Sequence, residues 1–127
     1  MDNISKISAK IRNLFGNDEV TAINAKDLIL IPLNEWQYIN DGAIRYKIVE
    51  HGEGYSVSIT EWMQDATFKK HFHADANEVI FIICGWLEGT MDGLKRYAFQ
   101  KLFFSAGTIH EVRAKKGTKI CVRFDYI

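Results

Sequence analysis

His71, His73 and Glu78 are the residues whose types and spacing point most directly to chemistry. The two histidines sit one residue apart, and in a strand residues i and i+2 point to the same face. Glu78 follows five positions after His73, an odd offset that would place it on the opposite face of an unbroken strand. The intervening Ala74-Asp75-Ala76-Asn77 reads as a turn, however. If that turn closes a hairpin, His73 and Glu78 become opposed partners with Cβ atoms roughly 5 Å apart. The expectation is a single hairpin that aims two imidazoles and one carboxylate at one point. That set suits a divalent first-row metal, and two histidines with one carboxylate and open positions suit non-haem iron(II). His110, in Gly107-Thr108-Ile109-His110, is a fourth candidate. Taken singly, a strand histidine is usually a surface or hydrogen-bonded residue and a glutamate a solvated one. The combination carries the metal reading.

The elements that must position these residues are mostly short strands. Only residues 3–15 read as a helix: Ile4, Ile7, Ile11 and Leu14 recur at helical spacing, Asp2 or Asn3 can cap the start and Gly16 can end it. The expected organisation is an amphipathic helix over residues 1–18, packed on a β-barrel over residues 19–127. A partner-binding role for the helix is the alternative. Strands are expected at residues 27–31, ending at Pro32, and at 43–49 and 55–59, which form a hairpin around Gly52-Glu53-Gly54. The stretch 68–73 enters the histidine hairpin and 79–83 leaves it. Ile80 and Ile82 follow Glu78 inward, so Val79, Phe81 and Ile83 need a second dry environment, from the helix or from another subunit. Asp92-Gly93 is a type I′ hairpin signal between strands at 86–91 and 95–99. Strands at 101–104, 108–113 and 118–125 complete the chain, the last with Thr118, Ile120, Val122 and Phe124 on one face. Many short strands broken by glycine turns describe an all-β antiparallel sandwich or barrel.

Bulk composition excludes several classes of function. Sixteen basic and sixteen acidic residues cancel among 127, which gives no electrostatic case for nucleic acid or an anionic membrane. The longest apolar run, residues 79–84, is too short to span a bilayer. Met1-Asp2-Asn3-Ile4-Ser5-Lys6 lacks the apolar core of a signal peptide. Cys84 and Cys121 make no disulfide framework and fit free thiols in a cytoplasmic protein.

His71, His73, Glu78 and Gly85 match the motif G(X)5HXH(X)3–4E(X)6G, with Asp65 at the leading glycine. Gly107 and His110 match G(X)5PXG(X)2H(X)3N, in which Phe99, Ser105 and Ala114 replace the first glycine, the proline and the asparagine. By these motifs the chain, over roughly residues 40–125, resembles a small single-domain cupin. The resemblance implies an antiparallel double-stranded β-helix, or jelly roll. It implies one divalent transition metal per chain (Fe, Mn, Ni or Zn) held by His71, His73, Glu78 and His110. Four protein ligands on an octahedral ion leave two cis positions for water, dioxygen or a chelating substrate. A metal-dependent enzyme acting on a small organic molecule follows, oxygenase-like first, with an isomerase or lyase also possible. A non-catalytic metal or small-ligand sensor is the alternative. Many cupins are dimers, which would cover the second dry face. Arg45, Tyr46, Glu61, Tyr97 and Arg113 are candidate polar groups of the pocket. Lys69, two residues before His71, should share the ligand face.

Overall fold

A computed structural model describes residues 20–127; the expected N-terminal helix lies outside them. In chain order the elements are β1 (Thr21–Ala22), α1 (Ala25–Leu28), β2 (Gln37–Ile39), β3 (Ile44–His51), β4 (Tyr55–Trp62), β5 (Ala66–Phe72), β6 (Ala76–Cys84), β7 (Trp86–Gly89), β8 (Lys95–Tyr97), β9 (Lys101–Phe104), β10 (His110–Ala114) and β11 (Lys119–Tyr126). They form two sheets, in the orders β1-β5-β10-β7-β8 and β2-β3-β4-β11-β6-β9. All pairings are antiparallel except the short β1–β5 contact. This is the all-β jelly roll that the sequence leads one to expect. Among the described residues no helix is long and apolar enough to cross a membrane.

The core lies between the two sheets. On the six-stranded sheet the inward rows follow from the register. One row is Glu78, Phe124 and Ser56; the next is Ile80, Val122, Ser58 and Ile48; the third is Ile82, Ile120, Thr60 and Tyr46. Trp62, Ile39, Ile44, Ile48, Ile82 and Leu87 are essentially sealed from solvent. Side chains of this kind contribute roughly 1.5–3 kcal/mol each by leaving water. The shared inward face of Thr118, Ile120, Val122 and Phe124 is as expected.

Strand β4 inverts the usual rule. Its apolar residues Tyr55, Val57 and Ile59 face outward and are half-buried, while Ser56, Ser58 and Thr60 are buried inside. The anchor is Trp62, which lies opposite Ile44 at the strand end and donates its indole N–H to the Ala66 carbonyl at 3.0 Å. With a period of two, seating that tryptophan inside turns the three hydroxyls inward as well.

Several local expectations are corrected. Residues 27–31 are not a strand: Ala25–Leu28 is a helical turn. Its first N–H groups, of Ala25 and Lys26, donate to the Asp75 carboxylate at 2.7 and 3.0 Å. That tertiary cap favours the helical turn over an extended strand. The Asp92-Gly93 hairpin joins β7 and β8, but only Gly93 has a positive φ, so the turn is not type I′, which needs both central residues there. The strand expected at 95–99 stops at Tyr97, and Phe99 takes a left-handed φ of 71°. Phe99 stands where the second motif has its first glycine, so the backbone keeps the glycine conformation with a larger side chain.

Candidate metal centre

The proposed hairpin of His71, His73 and Glu78 does not form. Strand β5 belongs to the five-stranded sheet and β6 to the six-stranded one, so residues 73–75 are a corner between sheets rather than a hairpin loop. The neighbours of His71 on its own sheet are His110 and Thr21, and the neighbours of Glu78 are Phe104 and Phe124. Asp75 explains the corner: its side chain is committed to α1, and its carbonyl accepts from the Ile127 N–H. The residues nevertheless converge, because the two sheets face each other.

His71, His73 and His110 bring one ring nitrogen each within 4.8 Å of one another. Glu78 Oε1 lies 3.0 Å from His110 Nε2 and 3.6 Å from His73 Nε2. All four side chains are buried. Ligand atoms about 2.0–2.2 Å from one ion are ~3 Å apart when adjacent, a size that the two Glu78 spacings approach.

The backs of the rings fix their tautomers. His71 Nδ1 lies 2.6 Å from the Lys69 carbonyl, His73 Nδ1 2.8 Å from that of Ile23, and His110 Nδ1 3.0 Å from that of Thr108. A carbonyl only accepts, so each Nδ1 carries the proton and donates it. Each Nε2 then turns a bare lone pair inward, the arrangement of metal-binding histidines. Phe104 stacks on His110 with ring centres 4.2 Å apart, and Phe124 meets His73 edge-on at 4.7 Å.

The electrostatics follow from this packing. Burial, with the neighbouring His110 and His73, pushes His71 down to about 3, so it is neutral at physiological pH. Burial also lowers His73. For His110, burial alone would lower the value, but the Glu78 carboxylate outweighs it and the net shift is upward. For Glu78, burial alone would raise the value, and the imidazoles, His110 foremost, hold it below the ordinary carboxylate range. Close as they are, the His110 and Glu78 atoms lack hydrogen-bond geometry: His73 Nε2, Glu78 Oε1 and His110 Nε2 have no hydrogen-bond partner among the described residues.

The cluster opens onto a cavity of about 70 Å³ between the sheets. Of the expected polar groups only Tyr46 lines it. Arg45 pairs with Glu61 at 3.0 Å, Arg113 pairs with Glu88 at 2.6 Å, and Tyr97 is exposed. Lys69 does not share the ligand face. His71 pairs with His110 but Phe68 pairs with Val112, so β5 carries one extra residue there. This β-bulge puts Phe68 on the cavity and leaves Lys69 beside Lys70 and Glu111 in a separate surface depression. Ser58, Thr60 and Ile23 also line the cavity and were not singled out from sequence. The available signal for the hydroxyls was their alternation at positions 56, 58 and 60.

No family model and no curated protein sequence matches this chain. Solved structures do. KdgF from Halomonas sp. superposes with a TM-score of 0.66 at 16% identity, over 74% of this chain and 89% of that one. An acetylacetone dioxygenase from Acinetobacter johnsonii gives 0.59 at 20% identity, over 75% and 70%. The cupin domain of an XRE-family transcriptional regulator from Enterobacter cloacae gives 0.56 at 19% identity, over 67% and 98%. Likeness at these identities is likeness of fold.

Proposed function

The chain folds as a cupin, and on that premise we propose that it holds one divalent transition metal through His71, His73, Glu78 and His110 and acts with it on a small organic molecule. The observation that carries this reading is the facing of bare imidazole nitrogens and a buried carboxylate oxygen at 3.0 and 3.6 Å. Acceptor atoms so close, buried and without hydrogen-bond partners need a positive charge between them. A proton on His110 answers part of that need, and a divalent ion answers all of it. When bound, the ion supplies Lewis-acid activation of a substrate oxygen and, as iron, a place for dioxygen. The chain's own residues do the remainder. Backbone carbonyls of Lys69, Ile23 and Thr108 orient the imidazoles. Phe68, Ile80, Val112 and Val122 keep the cavity walls dry. Three neutral imidazoles and one carboxylate leave a net positive charge on a divalent ion, which favours an anionic oxygen on the substrate.

Oxygenase-like chemistry is the first expectation, supported by the structural likeness to a dioxygenase. The likeness to a regulator's cupin domain supports a second reading, a non-catalytic sensor with the same ion. The two free thiols fit a reducing cytoplasm. A homodimer is supported by the outer face of the six-stranded sheet. Val57, Ile59, Val79, Phe81 and Ile83 are half-buried there, and Phe99 and Phe103 are exposed. Light scattering on wild type and Phe81→Glu tests it: a shift from dimer to monomer supports the interface, and a monomeric wild type refutes it.

The metal is tested by elemental analysis of tag-free protein beside a His71→Ala/His73→Ala variant. About one equivalent in the wild type and none in a folded variant is expected. No metal in either, even after anaerobic reconstitution, would overturn the reading. Oxygen uptake by iron-loaded protein against a panel of small acids and ketones separates enzyme from sensor.

A further inference from the structure

The cavity contains a second set of polar atoms, away from the imidazoles. Tyr46 on β3 and Ser58 and Thr60 on β4 line it from the six-stranded sheet, and all three are buried. The Tyr46 hydroxyl has no hydrogen-bond partner among the described residues. A sealed hydroxyl without a partner is costly, and a ligand oxygen would relieve the cost. Tyr46 shares its inward row with Thr60, Ile120 and Ile82, whereas Glu78 lies in the row of Phe124 and Ser56. Along β6 those rows are separated by the rise from Glu78 to Ile82, on the order of 13 Å. Between them the middle row contributes Ile80, Val122 and Ser58 to the lining, apolar but for the one serine hydroxyl. Apart from the histidine–glutamate cluster and the Tyr46 phenol, no ionisable side chain among the described residues lines the cavity.

We propose that Tyr46, with Thr60 beside it, is the residue that selects the far end of the substrate. Its hydroxyl hydrogen-bonds an uncharged carbonyl or hydroxyl oxygen on a small molecule whose other end is a metal-bound carboxylate and whose middle is an aliphatic spacer. The assignment rests on the metal reading above. It also excludes a class of substrate: a second carboxylate at the Tyr46 end would be buried without a counter-charge.

The test uses zinc-loaded protein and calorimetric titration with 4-oxopentanoate, 6-oxoheptanoate, their oxo-free parents pentanoate and heptanoate, and the dicarboxylate heptanedioate. Wild type should bind one of the oxo acids about tenfold or more tighter than its parent, and heptanedioate more weakly than 6-oxoheptanoate. Tyr46→Phe should lose the oxo preference while keeping its zinc content, its thermal melt and its affinity for the parent acid. Thr60→Val should lose part of the preference. An unchanged preference in Tyr46→Phe overturns the proposal, as does a wild type that binds both members of each pair equally or binds neither. Failure of the metal reading is seen separately, as protein that takes up no zinc.

Discussion

One cavity holds two kinds of buried polar wall, and they are built differently. On β5, the corner that follows it and β10, every imidazole is tied from behind by a backbone carbonyl, so its free nitrogen points at a defined place. On β3 and β4 the Tyr46 hydroxyl has no such tie among the described residues and can rotate to meet whatever oxygen arrives. Atoms oriented in advance suit an ion, which demands fixed distances. An unoriented hydroxyl suits a variable ligand group. The contrast also separates what holds the fold from what the cavity does. Trp62, Ile44 and Ile82 close the core beside the hydroxyl wall, whereas the imidazole end places ionisable groups where apolar ones would be more stable.

The largest effect that would break this division is expected at Trp62. Trp62→Ala should cost about 3–5 kcal/mol in denaturant unfolding yet leave the metal content of the folded fraction unchanged. Loss of metal from protein that is still folded would show that the two regions are not independent. Chelation should act at the other end. Removing an ion present at a hundred times its dissociation constant lowers stability by about 2.7 kcal/mol, read as a drop in melting temperature that re-addition reverses. An unchanged melt would mean that the imidazole wall is held without an ion. Asp75→Ala links the regions. It uncaps α1, at about 1 kcal/mol, and loosens the segment whose Ile23 carbonyl orients His73, so metal affinity should fall roughly tenfold. A stability loss with unchanged affinity would show that the carbonyl is held by other contacts. The smallest effect is expected at Lys69. If the bulge keeps its side chain off the cavity, Lys69→Ala should leave metal content unchanged and shift stability by no more than about 0.5 kcal/mol.

Much of the candidate site was legible because its signals are local. The spacing of His71 and His73 speaks of one strand face, and Glu78 and His110 stand out as polar residues among apolar ones. The hairpin drawn to join them was wrong although the convergence was right. A short polar segment between strands looks the same whether it returns to its own sheet or crosses to the facing one. The bulge at Lys69 was equally hidden, since an extra residue is visible only against the partner strand. The substitution of Phe99 for a motif glycine was visible, but not that the backbone would keep a positive φ there.

Sequence alone therefore determined the all-β class, most strand positions, the inward face of β11 and the identity of the four convergent residues. These rest on periodicity and on residue chemistry, which act over a few positions. Tertiary structure decided which strands share a sheet, that residues 25–28 are helical, that Lys69 leaves the ligand face, and that the hydroxyls of β4 point inward. Each of these depends on a partner far along the chain: Asp75 for the helix, His110 for the bulge, and Ile44 for the seating of Trp62. Long-range pairing is chosen by the packing of the whole core, and at β4 that sum outweighed the local preference to bury Val57 and Ile59.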